Sequence, residues 1–287
     1  MMTMNRWTPG LPSPETLKRY RIWDSYFTPA HGHPGADGTK SLFADIVRSL
    51  PAIQTGHFER ACYFPHVGTG TTSDHNLEAL LQTQPDIVLS PMRRWPGLLL
   101  GMIQVNSNDV QASLQAIDRW IADGPMVGVY LPGGGPGARR CDDPALGPMI
   151  DRVAQLGGVL MVHTWFKTGG KRNPSESTPS ELAVLASRYP EQKMVCAHAG
   201  GEWQQGVRAI RQHTNVLIET SGFDATAGFI EMAVREITAK RIIFGSHLPS
   251  RSLGTELAKV LGADILEEEK RLILGQNFRN LLQLGSE

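Results

Sequence analysis

From residue 21 onward the chain alternates between two hydrophobic rhythms. Short apolar runs such as LLLGMIQV at 98–105, GGVLMV at 157–162, KMVCA at 193–197 and RIIF at 241–244 lack the polar alternation of a half-exposed strand. They read as strands buried on both faces. Further strands are predicted over 21–27, 59–64, 126–131 and 216–219. Between the runs, apolar residues recur every three or four positions, the spacing of one helix face. This predicts helices over 41–50 (Leu42, Ile46, Val47 and Leu50, with Ser41 as N-cap), 74–82, 108–122 opened by Asn108, and 144–156 closed by Gly157-Gly158. Others follow over 180–188 after Pro179, 203–212 and 227–237, and a helical tail runs through 256–261, 267–274 and 277–282.

Eight strand–helix beats imply parallel strands joined by helical crossovers. At 287 residues, that count favours one closed (β/α)8 barrel of TIM type over an open doubly wound sheet. The expected organisation is an N-terminal arm over 1–20 and a single barrel over 21–287 with a C-terminal helical extension. No Pro/Ser-rich linker divides it.

Composition narrows the function classes. Lys plus Arg equals Asp plus Glu at 28 each, which argues against a dedicated nucleic-acid or anionic-membrane partner. No apolar run approaches the roughly 20 residues a membrane span needs. Cys62, Cys141 and Cys196 are too few and scattered for a disulfide framework or zinc knuckle. The segment MMTMNRWTPGLP has neither an apolar core nor a cleavage site, so a cytoplasmic protein is expected.

In a barrel the residues just past the strand carboxyl ends share one mouth. Those positions hold Asp24, Tyr26 and Thr28, then His66, Asn106 and a Gly-rich loop, then His163 and Trp165, His198, Glu219 and Ser221, and finally His247. His163, His198 and His247 each directly follow a buried apolar run or its short turn. Histidine exchanges protons near neutral pH or binds metal through a neutral ring nitrogen. Three around one mouth suit either a base with its orienting partners or a zinc site with an open fourth position. Polar caps on strand ends are the alternative. His31, His33, His57, His66, His75 and His213 read as solvated.

The ordered set VHTW, AHAGG, FGSHLP and ILGQNFRNLL resembles the amidohydrolase superfamily, specifically its amidohydrolase-related, decarboxylase-like branch. ACYFP and MVGVYLP extend the resemblance over nearly the whole chain from Arg21. It implies a barrel enzyme in which His163 matches a metal ligand and His198 the histidine that polarises substrate or shuttles a proton. Barrels of this branch are often dimers, so the resemblance allows a homodimer. The chain also departs from the pattern. Metal-binding members open the first strand with Asp-x-His-x-His, whereas Tyr26 and Thr28 stand at those histidine positions here. His247 replaces the usual Asp of the last strand. A phenol and a threonine hydroxyl are poor neutral zinc ligands, so the usual metal site is not expected.

The expectation is therefore a hydrolase acting without a metal or other cofactor on a small cyclic ester (lactone) or amide that bears a carboxylate. His198 leads the proton transfer, His247 and Tyr26 support it, and His163 positions the substrate. Arg251, Trp165, Thr28 and Ser221 are expected to bind it. A zinc-dependent hydrolase or decarboxylase using His163, His198 and His247 is the alternative, as is a barrel that only binds a small molecule. Arg139, Arg140, Lys167, Lys171 and Arg172 also lie on mouth-side loops and could favour a carboxylate. Trp165, Phe166, Trp203 and Phe223 could form an apolar wall. The loop PGGGPGARR matches neither a Walker nor a dinucleotide fingerprint.

Overall fold

In the computed structural model, eight parallel strands pair strictly in chain order. They are β1 (Ile22–Phe27), β2 (Phe58–Tyr63), β3 (Leu99–Gln104), β4 (Gly128–Leu131), β5 (Val159–His163), β6 (Met194–Ala197), β7 (Val216–Glu219) and β8 (Ile242–Ile243). The structure describes residues 12–28, 38–64, 89–133, 138–166, 175–222 and 226–283, without side chains at 38–45. The ring closes just beyond β8: Ser25 N–H donates to the Phe244 carbonyl (2.9 Å), His247 N–H to that of Tyr26 (2.8 Å) and Thr28 N–H to that of Leu248 (2.9 Å). This is the single (β/α)8 barrel that the eight beats imply.

The unbroken apolar runs have a direct cause. Side chains alternate across each strand, and both faces are covered. Trp23, Tyr26, Met102, Tyr130, Met161 and Val195 pack together inside the ring. Their neighbours Ile103, Val129, Leu160, Val162 and Cys196 pack outward against the helices. The same parity controls β7. Val216 and Ile218 belong to the outer layer, so Glu219 turns inward and is fully buried. A carboxylate is thereby placed at the top of the barrel interior.

Several elements differ from their sequence reading. Pro14–Tyr20 within the expected arm is a helix, with Ser13 Oγ accepting from Thr16 N–H (3.3 Å) and Leu17 and Tyr20 buried. The helix Gly38–Thr55 runs through Pro51 rather than stopping at it. Asp109, not Asn108, caps the helix Val110–Ile117, accepting from Ala112 N–H at 2.9 Å. The helix expected over 74–82 lies outside the described residues. In the tail, Asn277 Nδ2 donates to the Ala239 and Ile242 carbonyls (2.7 Å each), pinning it at the start of β8. Phe278 then joins the inner core and meets Trp23 edge to face. All three cysteines are buried free thiols. Among the described residues no helix is long and apolar enough to cross a membrane.

Candidate active site

The strand ends bring the three histidines together with His198 in the middle. Ring centroids lie 5.1 Å from His163 to His198 and 5.3 Å from His198 to His247. Tyr26 meets His198 at 4.7 Å and His247 at 5.0 Å, and Trp165 meets His198 at 5.9 Å. Left-handed backbone at His198 (φ 61°), Ala199 (φ 44°) and His247 (φ 50°) turns the chain sharply off β6 and β8. Such conformations cost free energy in non-glycine residues and gather at functional sites.

His198 is held on both sides. Its backbone N–H donates to Glu219 Oε2 (3.0 Å), and its Nδ1 lies 3.0 Å from the Ser221 carbonyl and 3.4 Å from Glu219 Oε2. A carbonyl oxygen only accepts, so Nδ1 carries the proton and Nε2 presents its lone pair. Glu219 also accepts from Ser221 N–H at 2.6 Å. Burial alone would raise this carboxyl, but the hydrogen bonds from His198 and Ser221, joined by the charge of His198 when that ring is protonated, outweigh it and hold the group below the ordinary glutamate value. A buried carboxylate behind a fixed imidazole is the arrangement that stabilises an imidazolium once a proton arrives.

His247 is held through its Nδ1 by two hydroxyls. Its Nδ1 lies 2.6 Å from Ser250 Oγ and 3.3 Å from Thr28 Oγ1. Ser250 Oγ donates to the His247 carbonyl (2.9 Å) and Thr28 Oγ1 to that of Leu248 (3.5 Å). Each hydroxyl can either donate to Nδ1 or accept from it, and together they fix the ring by its Nδ1 edge. Thr28 and Ser221, expected to touch substrate, stand behind the two rings and orient them.

Below the histidines the barrel is aromatic. Tyr26 OH bonds Tyr130 OH at 2.7 Å, and Phe64 stacks on Tyr130 at 4.5 Å and tilts against Tyr26 at 4.9 Å. Burial first, then the neighbouring phenol, pushes Tyr26 well above the usual tyrosine value, so it stays a neutral donor. Tyr130 and Glu219 are the functional positions that sequence reasoning underused; strand parity was the signal for both. Glycines let the backbone approach these groups. A Cβ on Gly133 would lie 2.1 Å from His163 Nδ1, and one on Gly245 would lie 2.0 Å from Glu219 Oε1.

Other candidates are placed elsewhere. Arg251 Nη2 donates to the Gly222 carbonyl at 2.8 Å beside the His198 support. Arg139 pairs with Asp143 (3.0 Å), and Arg140 with Asp142 (3.6 Å) and Glu181 (4.0 Å), so both are engaged in part-exposed ion pairs. Trp203 packs on Phe229 in the outer layer. His57 and His213 precede β2 and β7, at the opposite end of the barrel. His31, His33, His66, His75, Lys167, Lys171, Arg172 and Phe223 lie outside the described residues.

The described donor set does not match the metal site of the resembled branch. Asp24 accepts from Tyr26 N–H (3.0 Å), Ser246 N–H (2.8 Å) and Ser246 Oγ (2.5 Å), tying β1 to the turn after β8. Burial raises its carboxyl to about 7, against the lowering effect of those hydrogen bonds. Among the described residues no group of three or more His, Cys, Asp and Glu is spaced for a metal ion. The alternative zinc site through His163, His198 and His247 is therefore not formed. The His198 and His247 planes stack at 29° with centroids 5.3 Å apart.

Comparison with known proteins agrees with the fold. A family model described as Amidohydrolase matches residues 29–284. No curated protein matches the chain. Among solved structures, 2,6-dihydroxybenzoate decarboxylase from Rhizobium shares 18% identity over 92% of this chain and 98% of its own, with a TM-score of 0.69. The 5-carboxyvanillate decarboxylase from Novosphingobium aromaticivorans, complexed with manganese and 4-hydroxy-3-methoxy-5-nitrobenzoic acid, shares 15% over 92% and 96%, with a TM-score of 0.70. A probable 2-pyrone-4,6-dicarboxylic acid hydrolase from Acinetobacter baumannii with citric acid bound shares 15% over 92% and 99%, at 0.61. Manganese is also bound in a dihydroxybenzoic acid decarboxylase from Polaromonas. These metal-bound structures overturn the expectation of no cofactor. That reading relied on two lost ligand types on β1, and the loss of one ligand pattern does not remove a metal from a fold's chemistry.

Proposed function

The chain belongs to the amidohydrolase family, enzymes of hydrolase or decarboxylase type, and from that premise we propose that it hydrolyses a small ring-shaped ester or amide bearing a carboxylate. The observation that carries this reading is the buried Glu219–His198 pair, with Nδ1 as donor to the Ser221 carbonyl and the ring set among Tyr26, His163 and His247. In the proposed step, His198 Nε2 takes a proton from water as the water oxygen bonds the substrate carbonyl carbon. The ring C–O or C–N bond then breaks, and the imidazolium returns that proton to the departing atom. Glu219 stabilises the positive ring between the two events. The His247 lone pair accepts the second water proton as a hydrogen bond and so orients the attack. The Tyr26, Phe64 and Tyr130 rings suit a flat substrate, with His163 and Trp165 flanking it and Arg251 gripping its carboxylate.

Decarboxylation is the second reading, favoured by the decarboxylases among the structural relatives. There His198, first protonated from solvent, would deliver that proton to a ring carbon as the C–C bond breaks and carbon dioxide leaves. Manganese belongs in the assay because those relatives bind it; no step is assigned to it, since the described ligand set does not match. The test incubates the protein with 2-pyrone-4,6-dicarboxylate, 5-carboxyvanillate and 2,6-dihydroxybenzoate, with and without manganese, following ring absorbance and released carbon dioxide. Ring opening without carbon dioxide supports hydrolysis, and carbon dioxide release supports the second reading. Full turnover by His198→Asn would refute the role given to His198 in both.

A further inference from the structure

Behind β7 the helix Leu253–Leu261 carries a buried ion pair that the proposed chemistry does not use. Lys259 Nζ lies 2.7 Å from Glu256 Oε2, with side chains only 2% and 1% exposed. Such a pair is a weak source of stability, because an apolar pair of equal volume commonly does as well. Its significance therefore lies in its direction. Lys259 Nζ donates to the Thr220 carbonyl at 3.1 Å. The next carbonyl, Ser221, takes His198 Nδ1 at 3.0 Å, and the next, Gly222, takes Arg251 Nη2 at 2.8 Å. Three successive carbonyls of one segment are thus each held by a different side chain, and the middle one sets the His198 ring.

We propose that Lys259, steadied by Glu256, is a positioning residue for His198: by holding the Thr220 carbonyl it fixes the peptide that aims the Ser221 carbonyl at Nδ1. This rests on the proton-transfer role given to His198, but its physical core is a statement about ring tautomer. Without Lys259, the Thr220 carbonyl loses its cationic donor in a buried setting. The 220–221 peptide then reorients, and the constraint that keeps the proton on Nδ1 is relaxed.

The test needs no substrate. The full chain, labelled with 15N-histidine, is examined by long-range 1H–15N correlation in mildly alkaline buffer, with the His198 signals assigned through His198→Asn. Wild type is expected to show one neutral tautomer protonated on Nδ1. Lys259→Met is expected to bring the two ring nitrogens toward averaged shifts, while Glu256→Gln, which leaves Lys259 able to reach Thr220, keeps the wild-type pattern. If Lys259→Met does not fold, the neutral double variant Glu256→Gln/Lys259→Met is read in its place. A folded Lys259 variant whose His198 nitrogens are unchanged overturns the proposal. A wild type lacking Nδ1–H would instead strike at the proton-transfer reading itself. Where a substrate turns over, Lys259→Met should lower kcat by about tenfold or more with KM within about twofold, the pattern of a misaimed base rather than lost binding.

Discussion

Replacing Glu219 by Gln removes one charge from the centre of the proposed site while keeping nearly the same volume. The carboxylate lies 3.4 Å from His198 Nδ1, both groups being buried. With an effective dielectric of about 20, opposite unit charges at that separation attract by about 5 kcal/mol, an upper bound on what the imidazolium gains. Acid–base catalysis by a positioned side chain contributes about 10²–10⁴ in rate, so the expected loss in kcat for Glu219→Gln is about 10³, with KM nearly unchanged. Stability falls as well. Glu219 accepts from His198 N–H and Ser221 N–H through different oxygens, and an amide offers only one. One backbone N–H is left facing an NH2 group, which costs about 1–3 kcal/mol. For a chain of this size that corresponds to a drop in Tm of roughly 2–5 °C. The assay pairs a thermal melt with turnover of whichever ring substrate reacts, for Glu219→Gln, His198→Asn and the double variant. The two single losses should be strongly non-additive. A Glu219→Gln protein that melts lower yet turns over within about threefold of wild type would refute the reasoning, because the carboxylate would then be structural only.

Gly245→Ala would place a methyl 2.0 Å from Glu219 Oε1 and 2.7 Å from Tyr26 Cβ. Overpacking of this kind costs about 1–3 kcal/mol, read by denaturant titration, and should abolish turnover by displacing Glu219. Asp24 titrates near 7 in the folded chain against 3.8 as a free side chain. Between those values the native state holds the extra proton, so stability falls as pH rises, by about 4 kcal/mol in total. Asp24→Asn should flatten that slope between about pH 4 and pH 7 in urea titrations; an unchanged slope would assign it to another group. Tyr130→Phe leaves the buried Tyr26 hydroxyl without the partner it now has at 2.7 Å. The expected cost is about 1–3 kcal/mol in a thermal melt, with weaker binding of a flat carboxylate measured by calorimetry.

Much of this molecule is decided by local pattern. Runs such as GGVLMV and KMVCA are apolar at every position because each strand is covered on both faces, and that can be read without knowing what covers them. Eight such runs alternating with amphipathic stretches leave few arrangements besides a barrel, and a barrel puts every strand end at one mouth. Hence His163, His198 and His247 were legible as neighbours although they are separated by up to 84 positions. The helix Pro14–Tyr20 was not legible, because two buried residues in a proline-rich segment make no period. Its stability comes from packing and from Tyr20 OH donating to Glu267 at 2.8 Å.

What each site residue does was decided only by the tertiary structure. Asp24, Thr28 and Ser221 look alike in sequence as polar residues at strand ends. Folding ties Asp24 to the turn after β8, places Thr28 behind His247, and turns the Ser221 carbonyl onto His198. Glu219 becomes the partner of His198 because parity in β7 points it inward, and Arg139 and Arg140 are each taken up by an acidic neighbour. Hydrogen-bond direction and buried charge are properties of groups brought together from distant parts of the chain. Hydrophobic period is a property of each stretch alone, and so the sequence determined the barrel and its mouth while the assembled structure assigned the roles within it.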